Sequence, residues 1–348
     1  MKKVGIITIT GLGNYGNRLQ NYALQETINK MNCSCETLVN KSCNLKGYIK
    51  KIIIHEPKEL TVREKIFQEF NDKYINFSNI EINNVKKDKR LKKYSCLVCG
   101  SDQIWNSDYS ENDKANFGYF YKDIKVISYA ASFGIGTVNT KKRNKYKKYL
   151  ENMDTISVRE KKGVEIIENL TGRKDINVNV DPTLLLTSDE WEKLEKKPSM
   201  YDGKPYILTY FLGGKNEDVE KKIIKYAEEN NLNIIDVISK DSPYYNIGPS
   251  EFLYLEKNAN MIITDSFHSC VFALIYEKPF IVTDRHEVGL QNMGSRINTL
   301  LNMFKIEDRK YNGEELEKIL SRHINYEEVN KIIENERDKS FRYLKKNL

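Results

Sequence analysis

Short apolar runs and amphipathic stretches alternate along the chain. Val4–Ile9 is an apolar run closed by a glycine-rich turn, and Arg18–Met31 then carries Leu19, Tyr22, Ala23, Ile28 and Met31 near helical spacing. Thr37–Val39 reads as a second strand, so the chain opens strand–loop–helix–strand, as a parallel α/β sheet does. Residues 45–93 read as mostly helical and charged around Phe67, Phe70 and Tyr74. Cys96–Cys99, Val126–Ala130, Ile156–Val158 and Val178–Val180 follow, each a short apolar run ending in a polar or glycine-containing loop. That is the rhythm of a doubly wound domain, whose functional loops follow strand carboxyl ends.

The stretch Pro198–Pro205 interrupts the alternation, which then restarts. Tyr206–Leu212, Asn233–Ile238, Met261–Ile263 and Phe280–Val282 read as strands. Asp218–Asn230, Ser250–Asn258 and His268–Tyr276 read as helices, the second with Ser250 as N-cap and Leu253 and Leu255 facing inward. Glu307–Leu348 is highly charged with spaced Leu316, Ile319 and Ile324, and reads as helix. The pattern predicts an α/β protein of two Rossmann-like domains facing across a cleft, 1–197 and 198–306, with a helical segment 307–348 packing back on the first. A ligand site is expected in that cleft. B-type glycosyltransferases share this architecture.

Composition narrows the field. The chain has 348 residues, 40% hydrophobic and 30% charged, which fits a globular two-domain protein. No apolar run reaches the roughly 18 residues of a membrane helix. The opening, Met1-Lys2-Lys3-Val4-Gly5-Ile6-Ile7-Thr8, resembles a signal peptide only until Gly11–Gly16 interrupts it, so a cytoplasmic protein is expected. Six cysteines fit that compartment. Cys96-Leu97-Val98-Cys99 has zinc or redox spacing, but Leu97 and Val98 continue an apolar run and no second pair follows. Buried thiols, and no metal site, are the expectation; Cys33, Cys35, Cys43 and Cys270 read the same way. The net charge of +7 suits an anionic small molecule or a phospholipid-linked substrate. Six basic residues within Lys141–Lys148 read as a solvated helix face, with peripheral membrane contact as the alternative.

Several strand-end loops could carry chemistry. In Thr10–Gln25, Gly11, Gly13 and Gly16 allow a tight turn before a helix N-terminus, where free N–H groups favour an anion. The G-x-G-x-x-G spacing is filled by bulky Asn14, Tyr15 and Asn17, so the dinucleotide fingerprint is not met. Asn14, Asn17 and Arg18 offer donors to a ligand, against the alternative of a plain connecting turn. After Cys99, Ser101 and Gln103 are substrate-binding candidates. Asp102 between them is a candidate base or hydroxyl acceptor, or an N-cap. Trp105 reads equally as a sugar platform or as core. Ser128–Gly134 supplies small residues at another strand end. Arg159, at a strand-to-helix junction, can grip a carboxylate or phosphate in bidentate fashion, or pair with a surface glutamate. Asp181-Pro182 reads as structural punctuation. In Thr264–Cys270, His268 opens a helix whose dipole disfavours added positive charge, and Ser266 and Ser269 add donors to an anion site. The alternative, a buried structural histidine, is weaker at a strand-end loop.

The stretches NYGNRLQNYALQ, GSDQIWN, SYAASFG, SVRE, VDPTLLL and TDSFHSCVFALIYEKPFIV stand in the order found in the polysaccharide pyruvyl transferase family. From about Met1 to Val282 the chain resembles that family. The resemblance implies transfer of the enolpyruvyl group of phosphoenolpyruvate onto a sugar of a bacterial surface polysaccharide or its lipid-linked precursor. A pyruvate ketal forms and phosphate leaves, with no cofactor and no metal. The first domain would take the acceptor and the second the donor. By motif, Arg159 corresponds to an arginine that holds phosphoenolpyruvate, and His268 to a histidine of substrate binding and proton transfer, expected within reach of Arg159. There is one departure. Many members carry an arginine just before that histidine, where this chain reads Ser266-Phe267-His268. Lys278, Arg285 and Arg296 are the candidates to replace it. The expected partners are phosphoenolpyruvate and a glycan or lipid-linked oligosaccharide, with contact at the inner membrane face and no nucleic acid. The alternatives are a nucleotide-sugar-dependent glycosyltransferase, with Glu251 or Glu256 gripping a ribose, and a catalytically silent glycan-binding paralogue.

Overall fold

A computed structural model describes residues 1–40, 59–82, 88–108, 113–120, 123–214, 216–285 and 295–348. Cys43 and much of the helical stretch expected over 45–93 lie outside the described residues. In chain order the elements are β1 (Lys2–Ile7), α1 (Tyr15–Asn29), β2 (Cys33–Asn40), α2 (Val62–Tyr74), β3 (Phe77–Ile82), β4 (Cys96–Cys99), α3 (Asp113–Asn116), β5 (Lys125–Ser128), α4 (Arg143–Glu151), β6 (Ile156–Val158), α5 (Lys161–Thr171) and β7 (Ile176–Val178). There follow α6 (Ser188–Glu192), β8 (Tyr206–Tyr210), α7 (Glu217–Glu229), β9 (Asn233–Asp236), α8 (Pro249–Asn258), β10 (Met261–Thr264), α9 (Phe267–Ile275), β11 (Phe280–Val282), α10 (Ser295–Phe304), α11 (Leu316–Leu320) and α12 (Tyr326–Asn347). The chain forms two compact units: Met1–Thr61, Asn71–Leu185 and Glu336–Leu348; and Val62–Phe70 with Leu186–Asn335.

In the first unit a parallel sheet runs β3-β2-β1-β4-β5. The β6–β7 pair continues it through bridges between Ile127 and Thr155 and between Ala131 and Val158. The strand order reverses between β1 and β4, the switch point at which doubly wound sheets take ligands. Val4, Ile6, Leu97 and Val98 are fully buried, as strands covered by helices on both faces require. Trp105 belongs to this core. It stacks on Phe117 at 4.9 Å, packs against Phe133 and donates its indole N–H to the Asn116 carbonyl at 3.2 Å. The sugar-platform alternative therefore falls to the core one. Cys96 and Cys99 are buried on β4; burial pushes the Cys96 thiol up to about 12 and that of Cys99 higher. Among the described residues no cluster of His, Cys, Asp and Glu could hold a metal. Nor is any described helix long and apolar enough to cross a membrane.

In the second unit the parallel order is β11-β10-β8-β9, with its own switch point between β8 and β10. Ile207, Val219, Ile223, Ile263 and Ile281 fill its core together with Leu316 and Ile319 of α11. The chain passes into this unit at Leu186, upstream of the Pro198–Pro205 punctuation. Trp191 packs edge-on against Phe272 at 5.1 Å, and Lys257 pairs with Glu192 at 2.9 Å. Helix α8 is capped by Gly248 rather than Ser250, because Pro249 supplies the preset φ of a first helical residue. Glu251 completes that cap by accepting the Gly248 N–H at 3.2 Å. The last turns of α12 belong to the first unit. There Arg337 donates to the Leu184 carbonyl at 3.0 Å and the Tyr343 hydroxyl to the Ser128 carbonyl at 2.8 Å.

Candidate functional site

In the first unit the polar candidates gather at the carboxyl ends of β1, β4, β6 and β7. Gly100 ends β4 at a φ of 127°, and a Cβ there would collide with the Tyr129 carbonyl, so only glycine fits. Asp102 follows at a φ of 64°, a conformation Asp tolerates, and its carbonyl accepts the Ser132 N–H at 2.9 Å. Arg159, 3% exposed, donates through Nη1 to Asp181 at 2.5 Å and through Nη2 to Asp102 at 3.2 Å. Burial lowers its pKa, Asp181, Asp102 and Glu160 together raise it more, and the net shift is upward. Asp181 also accepts from the Ser101 hydroxyl at 3.0 Å, the Thr183 N–H at 3.0 Å and the Thr183 hydroxyl at 2.8 Å. The loops after β4 and β7 are thereby stitched together by one guanidinium.

Ser101 is further held by Gln20, whose carbonyl oxygen accepts the Ser101 N–H at 3.2 Å. Arg18 is fully buried, donating to the Ile9 carbonyl and to Asn71 at 3.4 Å. Burial pulls its pKa down to about 10 against the opposing field of Asp102. Asn14 caps α1 by accepting the Asn17 N–H at 3.1 Å, and Asn17 remains partly exposed. Gln103 accepts from Asn106 at 3.0 Å. The structure thus brings Ser101, Asp102 and Arg159 into one network, joined by Asp181. The sequence pattern reads Asp181 as punctuation; the signal of its role is an acid at a strand carboxyl end.

In the second unit the candidates lie where β8 and β10 end. Asp265 accepts the N–H groups of Leu212 and Gly213, both at 2.7 Å, which fixes the loop after β8. Ser266 is the N-cap of α9, yet its side chain makes no capping bond. His268, 6% exposed, sits in the first turn with the Phe267 ring edge-on at 5.4 Å. Two expected members do not join them. The Ser269 hydroxyl donates sideways to Glu256 of α8 at 2.5 Å, so it offers nothing to the open end of the helix. Lys278 lies beyond the opposite end of α9, with its N–H on the Ala273 carbonyl at 2.8 Å. That is a helix length of roughly 13 Å from Ser266. Burial, and then Lys257, lowers the Lys278 pKa. Asp265 was missed because its role is to hold a distant loop. Arg285 comes to 3.7 Å from it.

A sequence profile of polysaccharide pyruvyl transferase matches residues 14–287, most of the chain. The chain belongs to the polysaccharide pyruvyl transferase family. No match to a curated protein was found. Solved structures similar to this chain include the UDP-GlcNAc 2-epimerase of Methanocaldococcus jannaschii, with a TM-score of 0.55 and 16% identity over 93% of both chains. The UDP-GlcNAc 2-epimerase of Neisseria meningitidis bound to UDP-GlcNAc gives 0.52 and 12% over 100% of both chains. UGT2 of Phytolacca americana, complexed with UDP-2fluoro-glucose and pterostilbene, gives 0.50 and 10% over 99% of this chain and 94% of its own. At such identities the likeness carries the fold: α/β, Rossmann-like, of the glycosyltransferase-B kind.

Proposed function

We propose that this family member moves the enolpyruvyl group of phosphoenolpyruvate onto two hydroxyls of a glycan, or of its lipid-linked precursor, forming a pyruvate ketal. The observation that carries this reading is His268 in the first turn of α9, at the carboxyl ends of β8 and β10. A helix N-terminus offers N–H donors and positive potential to a substrate carrying both a carboxylate and a phosphate. His268 gives a proton to the vinyl carbon while the first hydroxyl oxygen bonds to the neighbouring carbon. The carbon–oxygen bond to phosphate then breaks, and the second hydroxyl oxygen closes the ring. One hydroxyl proton replaces the one His268 gave, and the other ends on phosphate. Asp102, expected as the base, already accepts from Arg159. We assign Arg159, Asp102 and Asp181 to positioning the first unit's loops.

A nucleotide-sugar reading would need an acid to grip a ribose. Glu251 caps α8 and pairs with Lys196 at 2.8 Å, while Glu256 is fully buried. Neither supports that reading. The test is phosphate release from phosphoenolpyruvate. Release that depends on an acceptor glycan and survives a chelator is expected. Consumption of a nucleotide sugar, with phosphoenolpyruvate left intact across a panel of acceptors, would overturn the proposal.

A further inference from the structure

An open cavity of about 80 Å³ lies between residues 136–138, the start of α4 and one face of α5. On α5 its lining comes from Lys162, Glu165, Ile166, Asn169 and Leu170, which a spacing of three and four residues places on one side of the helix. Ile166 and Leu170 are buried in the core of the first unit, so the base of the cavity is apolar. Its polar members are exposed or half-buried. Arg143 is the first residue of α4, and its side chain has no ion pair among the described residues. The Asn169 side chain makes no hydrogen bond among them either. Lys162 pairs with Glu165 at 2.7 Å, both side chains open to solvent. Neither helix has an acid in its first turn, and Arg143 and Lys162 add positive charge where each helix dipole is already positive.

We propose that this cavity binds a phosphate group at the end of a larger molecule, held by Arg143, Lys162 and the Asn169 amide. Size decides what enters. At about 80 Å³ the cavity has roughly half the ~150 Å³ of one that holds benzene, so it takes a group of a few heavy atoms and not a sugar ring. Charge decides the sign. Two cations line the cavity against one acid, which leaves one positive charge in excess. The exposed Lys162–Glu165 pair is weak enough for the ammonium to turn toward a ligand. A phosphate suits the donors better than a carboxylate, because its three free oxygens can meet guanidinium, ammonium and amide at once. Soluble phosphate esters and phospholipid headgroups share this chemistry. Arg143 belongs both to the cavity and to the exposed basic residues of α4, so a headgroup could enter from a membrane surface.

Two measurements on the full chain test this: calorimetric titration with glycerol 3-phosphate, and sedimentation with phosphatidylglycerol vesicles. Arg143→Ala and Lys162→Ala should each weaken binding by about tenfold, the scale of one charged hydrogen bond. Asn169→Trp fills the cavity and keeps both cations, and it should weaken binding at least as much. Lys145→Ala removes an exposed charge of α4 outside the lining and should change little. If Asn169→Trp loses glycerol 3-phosphate but still sediments with vesicles, the site belongs to a soluble ester. If it loses the vesicles, the site takes a lipid headgroup. Three results overturn the site: Asn169→Trp binds both probes as wild type does, wild type binds neither, or Lys145→Ala weakens binding as much as Arg143→Ala. Should Asn169→Trp not fold, Arg143→Ala set against Lys145→Ala decides alone. None of these results touches pyruvyl transfer.

Discussion

Each unit buries carboxyl groups, and Asp102 and Asp181 of the first are held differently from Glu256 of the second. In the first, Asp102 and Asp181 share one buried arginine, so every charge has an opposite within hydrogen-bond distance. In the second, Glu256 meets a single hydroxyl, Ser269, and its other oxygen has no partner among the described residues. Burial drives the Glu256 carboxyl well above the usual range and favours its protonated form. The first arrangement is a cross-brace whose charges answer one another. Among the described residues, the second holds Glu256 without an ionic partner, where burial favours the neutral acid.

The largest effect should come from breaking the brace. Arg159→Ala strands two buried carboxylates and should cost about 3–5 kcal/mol of stability, read from urea denaturation. A wild-type midpoint in that variant would mean that the aspartates are not held by this arginine. His268→Ala should act the other way round. It should lower the rate at least ~100-fold, the usual scale for removing a proton-transfer group, with the melting temperature close to wild type. If His268→Ala instead unfolds the protein while Arg159→Ala only slows it, the roles of the two units are reversed.

This contrast also explains what the chain reveals before folding. Apolar runs mark strands because parallel strands are buried on both faces, so Cys96–Cys99 and Ile156–Val158 coincide with β4 and β6. The pattern also puts a helix start at His268, where β10 ends and a polar cluster follows, and α9 begins one residue earlier, at Phe267. The partners were not legible. Arg159 finds Asp181 and Asp102 only because the fold gathers the ends of β4, β6 and β7, and no periodicity carries that pairing. Helix α9 is buried from Phe267 to Leu274, so it has no polar stripe to show that Ser269 faces α8. Lys278 was misplaced because nearness to a motif in sequence says nothing about which end of the helix a residue follows.

Glu256 offers a pH test with a definite sign. Its folded pKa is raised, so below the unfolded value of about 4.3 both states carry the proton and nothing changes. Above that value the unfolded chain ionises and the folded one resists, so wild-type stability falls as pH rises. Glu256→Gln removes that slope. Its melting temperature should gain on wild type from about pH 4 upward, the difference widening until the folded carboxyl itself titrates. A difference that stays constant with pH would mean that Glu256 ionises normally in the fold, and the two units would then handle buried acids alike.

The smallest effect concerns charge that the first unit carries on its outside. Tyr146 and Leu150 turn α4 inward, while Lys141, Arg143, Lys145, Lys147 and Lys148 are exposed. Lys147 lies 3.8 Å from Glu151, and Lys148 sits 5.7 Å from the Tyr119 ring centroid. Because the apolar residues of α4 are committed to the core, any attraction to a bilayer through this face is electrostatic. It is worth about 1 kcal/mol per basic residue at an anionic surface and is screened beyond about 8 Å at physiological salt. Wild type should therefore sediment with phosphatidylglycerol vesicles at low ionic strength and leave them as salt rises. A variant with Lys141, Arg143, Lys145 and Lys148 changed to Glu should stay in solution, with phosphate release on a water-soluble acceptor unchanged. Equal sedimentation of the two proteins would leave α4 as a solvated face.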